Sequence, residues 1–257
     1  MYASNYFENL MLNLMRNQSV TAPVSLNLAL FQSSPGDDGT SGQEVSYTGY
    51  ARQPITFSAP AVSGSGMVTQ NTDMISFPEA PASAGQVNFV AVFDSGSNMY
   101  LYGQLDTPLS IQAGVSPVFR AGTVKWIWSG NLTNYYRTII INILRGTDAS
   151  GFNPYVALCN GDPENGGQEL TGSGYSRMAA TMSAPTQQAS GAAMSQNETD
   201  MSSSIATGSW GTLNTVAICD ASTAGNAFAV IPLTSTYNIT SGYTVGFRAG
   251  ELQFSIN

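Results

Sequence analysis

The sequence predicts a mainly β protein made of two tandem antiparallel β-sandwich domains, each preceded by one N-terminal α-helix. Three observations carry that prediction. Apolar residues fill 42% of the 257 positions and charged residues only 9%, with 26 glycines, a profile of strands joined by many turns. Short runs alternate apolar with polar side chains, the period of a half-buried strand. The chain also repeats itself in one continuous order, the signature of a duplicated unit.

The repeat is legible in five places. NYFENLMLNLMRN from Asn5 matches NYYRTIIINILRG from Asn134, and QEVSYTGYAR from Gln43 matches QELTGSGYSR from Gln168. TFSAP at 56–60 meets TMSAP at 181–185, VAVFD at 90–94 meets VAICD at 216–220, and FRAGTV at 119–124 meets FRAGEL at 247–252. The offset stays between 125 and 129 residues throughout. The boundary falls at Ser129-Gly130-Asn131, which gives domains over 1–129 and 130–257. So short a linker leaves the two domains touching, with limited freedom.

Each copy opens with an amphipathic helix. Tyr6, Phe7, Leu10, Met11, Leu14 and Met15 recur at helical spacing in the first, and Tyr135, Tyr136, Ile139, Ile140, Ile143 and Leu144 in the second. Such stripes usually face a core, so each helix is expected to pack on its own domain. Asn5 with Glu8 offers a capping box in the first copy, which Arg137 removes in the second. Strand follows. VSLNLALF at 24–31 places Leu26, Leu28 and Leu30 on one face, and VNFVAVF at 87–93 does the same for Val90 and Val92. In the closing strands Trp126 and Trp128 correspond to Phe254 and Ile256 as the buried side. SSPGDDGTSG at 33–42 and GDPENGG at 161–167 are turn-rich surface loops. Roughly eight short strands per domain complete a sandwich.

The charges narrow the chemistry. A net charge of −8 with a single lysine, Lys125, leaves nothing to grip a phosphate backbone or an anionic membrane, so neither is expected as a partner. Histidine is absent, which removes imidazole triads and the commonest metal ligand; no cofactor or metal is implied and the chain does not read as an enzyme. A glycan hydrolase built on two carboxylates is made improbable by the low density of acids. The N-terminus has no basic region before its apolar residues and no small-residue cleavage site, so it does not read as a signal peptide.

Six of the seven arginines fall in equivalent pairs: Arg16 with Arg145, Arg52 with Arg177, and Arg120 with Arg248. Glu44 with Glu169, Asp73 with Asp200 and Asp94 with Asp220 recur too. A cation kept in both halves of a charge-poor chain reads as a structural anchor, holding a turn or strand end through hydrogen bonds to carboxylate or carbonyl oxygen. In FRAG, Phe faces inward, Arg anchors, and Gly122 or Gly250 supplies a permissive backbone. Asp37, Asp38, Asp162 and Glu164 sit in loops as calcium candidates, or as solvated turns, which such acids beside glycine usually are. Cys159 and Cys219 align with Phe31 and Phe93, positions of small apolar packing, with a disulfide as the alternative should their strands pair. Tyr47 and Trp210 have no aromatic counterpart in the other copy and are the candidate surface contacts. Sequons begin at Asn17, Asn131, Asn197 and Asn238 and read as incidental.

NYFEN, GYARQPITF and FVAVFD, in the order shared by both copies, resemble a family of small bacteriophage virion proteins, commonly tail-fibre-like, with some members among head genes. A typical member resembles one copy, so the chain looks like two in tandem; the second departs at NYYRT and lacks ISFP. The resemblance implies a virion structural protein on the particle exterior, made in the host bacterial cytoplasm. It would decorate the capsid or attach to the tail or fibre by noncovalent packing against other virion proteins. Duplication suggests a homo-oligomer: a trimer would supply six similar domains for a hexameric capsomer or a six-fold tail. The alternative is a carbohydrate- or host-receptor-binding module using Tyr47, Trp210 and the loops at 33–42 and 161–167.

Overall fold

The computed structural model of the protein describes residues 1–64 and 66–256. In the first repeat, helix α1 (Asn5–Leu14) is followed by β1 (Leu26–Phe31), β2 (Gly66–Gln70), β3 (Gly85–Asp94), β4 (Met99–Ile111) and β5 (Lys125–Trp128). In the second, α2 (Asn134–Leu144) is followed by β6 (Tyr155–Asn160), β7 (Ala193–Gln196), β8 (Gly211–Cys219), β9 (Ala227–Ile239) and β10 (Gln253–Ile256). Strands of two or three residues fill in between. The protein is mainly β, two antiparallel sandwich domains, each led by one helix.

In each repeat a large sheet faces a small one. The first large sheet runs from Tyr2–Ala3 through β4, β3 and β1 to Gln53–Pro54, and β5, β2 and Ala61–Ser63 form the small sheet. The second repeat builds β9–β8–β6 and β10–β7 in the same order, with short strands at their edges. Two differences from the sequence reading have local causes. A register shift between Val87 and Phe89 breaks the alternation of β3, so the simple period-two pattern fails there. β4 and β9 are 13 residues each, longer than the alternation of short strands suggests. Pro108 is tolerated in β4 because it falls in the gap between the Gln104 and Leu109 pairings, where neither β3 nor Tyr2–Ala3 needs a ladder bond from it.

Helix capping also departs from expectation. The N-cap of α1 is Ser4, whose hydroxyl accepts from Phe7 N at 3.3 Å, so the Asn5–Glu8 capping box does not form. Ser4 N donates to Tyr100 O at 3.0 Å and its hydroxyl to Met99 O, tying the helix start to β4. Thr133 repeats the arrangement on α2: it accepts from Tyr136 N at 3.2 Å and donates to Ala227 O at 2.7 Å, while its own N donates to Phe228 O at 2.9 Å.

The helices do not pack on their own domains alone. α1 lies on β4 and also on β7 of the other repeat, and α2 lies on β9 and on β2. Beyond the predicted stripe, Glu8 and Leu12 on α1 and Arg137 and Ile141 on α2 are buried, so each helix has two covered faces. One hydrophobic core therefore crosses the boundary, joining Phe7, Met11 and Trp126 to Tyr136, Ile140 and Phe254. A second core, around Val156, Leu158 and Leu213, belongs to the second repeat.

The repeats meet about a local two-fold axis. Val20 and Ala149, equivalent residues, exchange backbone hydrogen bonds of 2.8 and 2.9 Å. Ala22 N donates to Asp148 Oδ1 at 2.8 Å, and the equivalent Gly151 N donates to Ser19 Oγ at 3.2 Å. Same surface against same surface is the geometry of an isologous dimer, here within one chain. Tyr136 adds a bond its equivalent, Phe7, has no hydroxyl to make, donating to Met11 O.

Candidate functional site

The polar groups that recur in both repeats converge on three constructions. The first is built from QEV and GYxR. Arg52 Nε and Nη2 donate to Glu44 Oε1 and Oε2 at 3.0 and 2.8 Å, and Tyr50 donates to Glu44 Oε1 at 3.0 Å while accepting from Leu30 N at 3.0 Å. Arg177, Glu169, Tyr175 and Leu158 repeat it with distances of 2.9, 2.7, 2.8 and 3.1 Å. A fork of charge-assisted bonds thus fixes a loop to the neighbouring strand, with tyrosine as the bridge. The outer side differs. Arg52 lies over the Phe93 ring at 3.9 Å, whereas Arg177, with Cys219 at the position equivalent to Phe93, donates to Ala221 O and Ala224 O at 2.7 and 2.6 Å. Burial works to raise the Glu169 pKa, but the hydrogen bonds from Arg177 and Tyr175 and the charge of Arg177 outweigh it and hold it below the usual range.

The second is a pair of buried asparagines. Asn71 Nδ2 donates to Asp73 O and Arg120 O at 2.7 and 2.9 Å, and its Oδ1 accepts from Val124 N at 2.8 Å. Asn197 does the same with Thr199 O, Arg248 O and Leu252 N at 2.9, 2.8 and 2.8 Å. This corrects the reading of FRAG. The guanidinium groups of Arg120 and Arg248 are exposed and make no hydrogen bond or ion pair among the described residues; the turn is gripped through their carbonyls. Gly122 and Gly250 turn the chain there at φ 77° and 81°. The signal was the recurring Gln-Asn before a Thr-Asp. Burial also removes Asn197 from the accessible sequons.

Arg16 and Arg145 hold the last turn of their own helices, donating to Asn13 Oδ1 and Asn142 Oδ1 at 3.0 and 2.7 Å. Neither pairs with a carboxylate among the described residues; Arg16 Nε reaches instead across the boundary to Met182 O at 3.1 Å.

Trp210 is not a surface contact. It is 3% exposed, stands edge-on to Tyr175 at 5.3 Å, and its indole N–H donates to Ser173 O at 3.0 Å. Tyr47 is half-buried, edge-on to Tyr50 at 5.4 Å, its hydroxyl donating to Pro78 O at 2.7 Å. Tyr50 and Tyr175 are equivalent, so Tyr47 and Trp210 fill one site from different segments of the chain. Their missing counterparts are Gly172 and Ala84.

The loop acids serve turns. Asp38 accepts from Thr40 N and Oγ1 at 3.0 and 2.7 Å, Asp162 accepts from Glu164 N at 2.8 Å to start the 3-10 turn Pro163–Asn165, and Glu164 accepts from Asn134 N at 2.5 Å at the head of α2. Cys159 and Cys219 are buried free thiols. β6 and β8 pair Cys159 with Thr215 and Tyr155 with Cys219. The two cysteines are therefore four residues out of register, about 13 Å of backbone along the ladder, too far for a disulfide. Burial pushes them up to about 12 and about 11, out of the reactive range. An aromatic cleft of about 390 Å³ lies elsewhere, where half-exposed Tyr135 stands beside Phe152 and Phe228, with Asp148 and Asp220 also in its lining.

No helix among the described residues is long and apolar enough to cross a membrane. A family model described as Podophage GP4 fiber I protein gp80 matches the chain twice, over residues 2–127 and 131–255. No curated protein matches it.

Proposed function

The chain belongs to the podophage GP4 fiber I protein gp80 family, two members in tandem, and is a structural component of a phage virion; from that premise we propose that it sits on the particle exterior at the tail or fibre. It works there by noncovalent packing against other virion proteins, and not as an enzyme. The observation that carries this reading is where the recurring polar groups are spent. The Glu44–Tyr50–Arg52 and Glu169–Tyr175–Arg177 forks and the Asn71 and Asn197 clasps all terminate on the protein's own loops and strands. Repeated ionic groups thus brace a scaffold twice over. Gold labelling of intact particles with an antibody to the chain tests the placement: label on tail or fibre supports it, and label confined to the capsid shell replaces it with capsid decoration.

The local two-fold between the repeats bears on assembly. A homotrimer, the proposed oligomer, would present six repeats, but those within each chain are related by a half-turn and not by the 60° step that relates neighbouring domains of a hexameric capsomer or six-fold tail ring. Light scattering on the purified chain measures the copy number directly.

A second reading, a carbohydrate- or host-receptor-binding module, is favoured by the cleft at Tyr135 and no longer by Trp210. An aromatic face beside carboxylates suits a polar ligand with an apolar side. Glycan binding that disappears in Tyr135→Ala would support it, and an array without hits for the native chain would remove it.

A further inference from the structure

Glu8 is completely buried in the first turn of α1, between the two repeats. Its Oε2 accepts from Ala193 N at 3.0 Å across the boundary, while its Oε1 is buried without a hydrogen-bond partner. Two neighbouring oxygens are in the same state: Asn5 Oδ1, one turn earlier on the helix, and Asp37 Oδ1 on the 33–42 loop. The loop is tied to the helix by Asn5 N donating to Asp37 O at 3.0 Å. Asp37 Oδ2 lies so close to Gly191 that a Cβ added there would stand 3.2 Å from it. Both carboxyl groups thus press on one segment of the second repeat, Gly191–Ala193.

Every unpartnered atom in this group is an acceptor, so what the group lacks is a hydrogen. The surroundings supply no positive charge. Acting on Glu8 are burial, Asp37, Ala193 N and Gln187; acting on Asp37 are burial, Tyr102 from β4 and Asp38. A metal cation would also satisfy oxygens, but the group sits at the positive end of the α1 dipole, which disfavours one. Burial first, then the charge of Asp37, pushes the Glu8 carboxyl up to about 8, against the hydrogen bond from Ala193 N and the pull of the nearby Gln187 amide. In the second repeat the equivalent residue is Arg137, which turns back to Asn134 Oδ1 and Gly130 O at 2.9 and 2.7 Å.

We propose that a proton held on Glu8 latches the first turn of α1 and the 33–42 loop to the second repeat, and that losing it frees the Gly191–Ala193 segment. The folded chain keeps this proton to higher pH than the unfolded chain does. The contribution is therefore complete below the ordinary glutamate pKa of 4.5 and is lost as pH rises through about 8.

The test compares the full native chain with Glu8→Gln, a neutral mimic of the protonated acid, between pH 5 and 9. Melting temperature is recorded together with hydrogen exchange of residues 188–196, corrected for intrinsic rates. The native chain should lose melting temperature across this range and exchange residues 188–196 at least tenfold faster at pH 9 than at pH 6, while Glu8→Gln changes little in either measure. Should Glu8→Gln fold poorly, Asp37→Asn serves instead, and by removing the neighbouring negative charge that holds the Glu8 proton it should move the native transition to lower pH. Identical pH profiles in native and variant chains overturn the latch. So does a rise in native melting temperature with millimolar calcium that Glu8→Gln lacks, since the oxygens would then be cation ligands.

Discussion

Trp210 Cδ1 lies 2.6 Å from the position a Cβ would take on Gly172, and Ser209 O lies 2.8 Å from it. The indole thus occupies the space that the Tyr47 side chain fills in the first repeat, and the two sites form a single exchanged pair of large and small residues. Gly172→Ala should destabilise the fold by about 1–3 kcal/mol through overpacking, and Trp210→Ala by about 3–5 kcal/mol through the cavity it leaves. The double variant Gly172→Tyr with Trp210→Ala rebuilds the arrangement of the first repeat and should recover part of that loss. Denaturant midpoints of Gly172→Tyr, Trp210→Ala and the double variant measure the coupling, and a purely additive double variant would count against the exchange.

The asparagine clasps and the FRAG arginines make opposite predictions. Asn71→Ala removes three hydrogen bonds and strands the buried Val124 N, for an expected loss of about 2–4 kcal/mol, and Asn197→Ala does the same at Leu252 N. Arg120→Ala and Arg248→Ala touch exposed side chains and should stay within about 0.5 kcal/mol of the native chain. Thermal melts of the four single variants suffice.

Glu169 carries the acid side of the pH profile. Its folded pKa lies below the unfolded value, so its contribution is present above 4.5 and disappears as pH falls through the folded value. Glu169→Gln should therefore melt lower than the native chain at pH 7, by about 2 kcal/mol once partial exposure is allowed for, with the gap closing below pH 4. Melting curves from pH 3 to 7 test the sign, and a gap that widens in acid refutes it.

Separating the chain at the proposed boundary should expose both covered helix faces. Fragments 1–129 and 130–257 made apart are expected to self-associate or aggregate, and to regain a one-to-one complex when refolded together. Size-exclusion chromatography with light scattering distinguishes this from two independent monomers, the outcome that would contradict a shared core.

Much of the fold is legible in the sequence because it rests on local periodicity. Helical spacing from Tyr6 to Met15 and alternation from Lys125 to Trp128 each name an element and its buried side. What covers that side is not local. The apolar stripe of α1 says only that something packs on it, and the hint that two surfaces do, Leu12 and Ile141 lying off the stripe, is weak until both helices are seen between sheets of opposite repeats. The arginine pairs show a second limit. Recurrence marks Arg52 and Arg120 alike, yet one is held by its guanidinium and the other by its carbonyl, a distinction that a pattern of side chains does not carry. Tyr47 and Trp210 lacked aligned partners for a related reason: they replace each other in space and not in register.

The exchange of hydrogen bonds between Val20 and Ala149 has a genetic consequence. In a homodimer every mutation is written on both sides of the axis at once, so a charge that suits one face must also suit its mirror. Fusing the halves into one gene lifts that constraint, and Glu8 in one repeat with Arg137 at the equivalent position of the other is a divergence that a homodimer of identical chains could not carry.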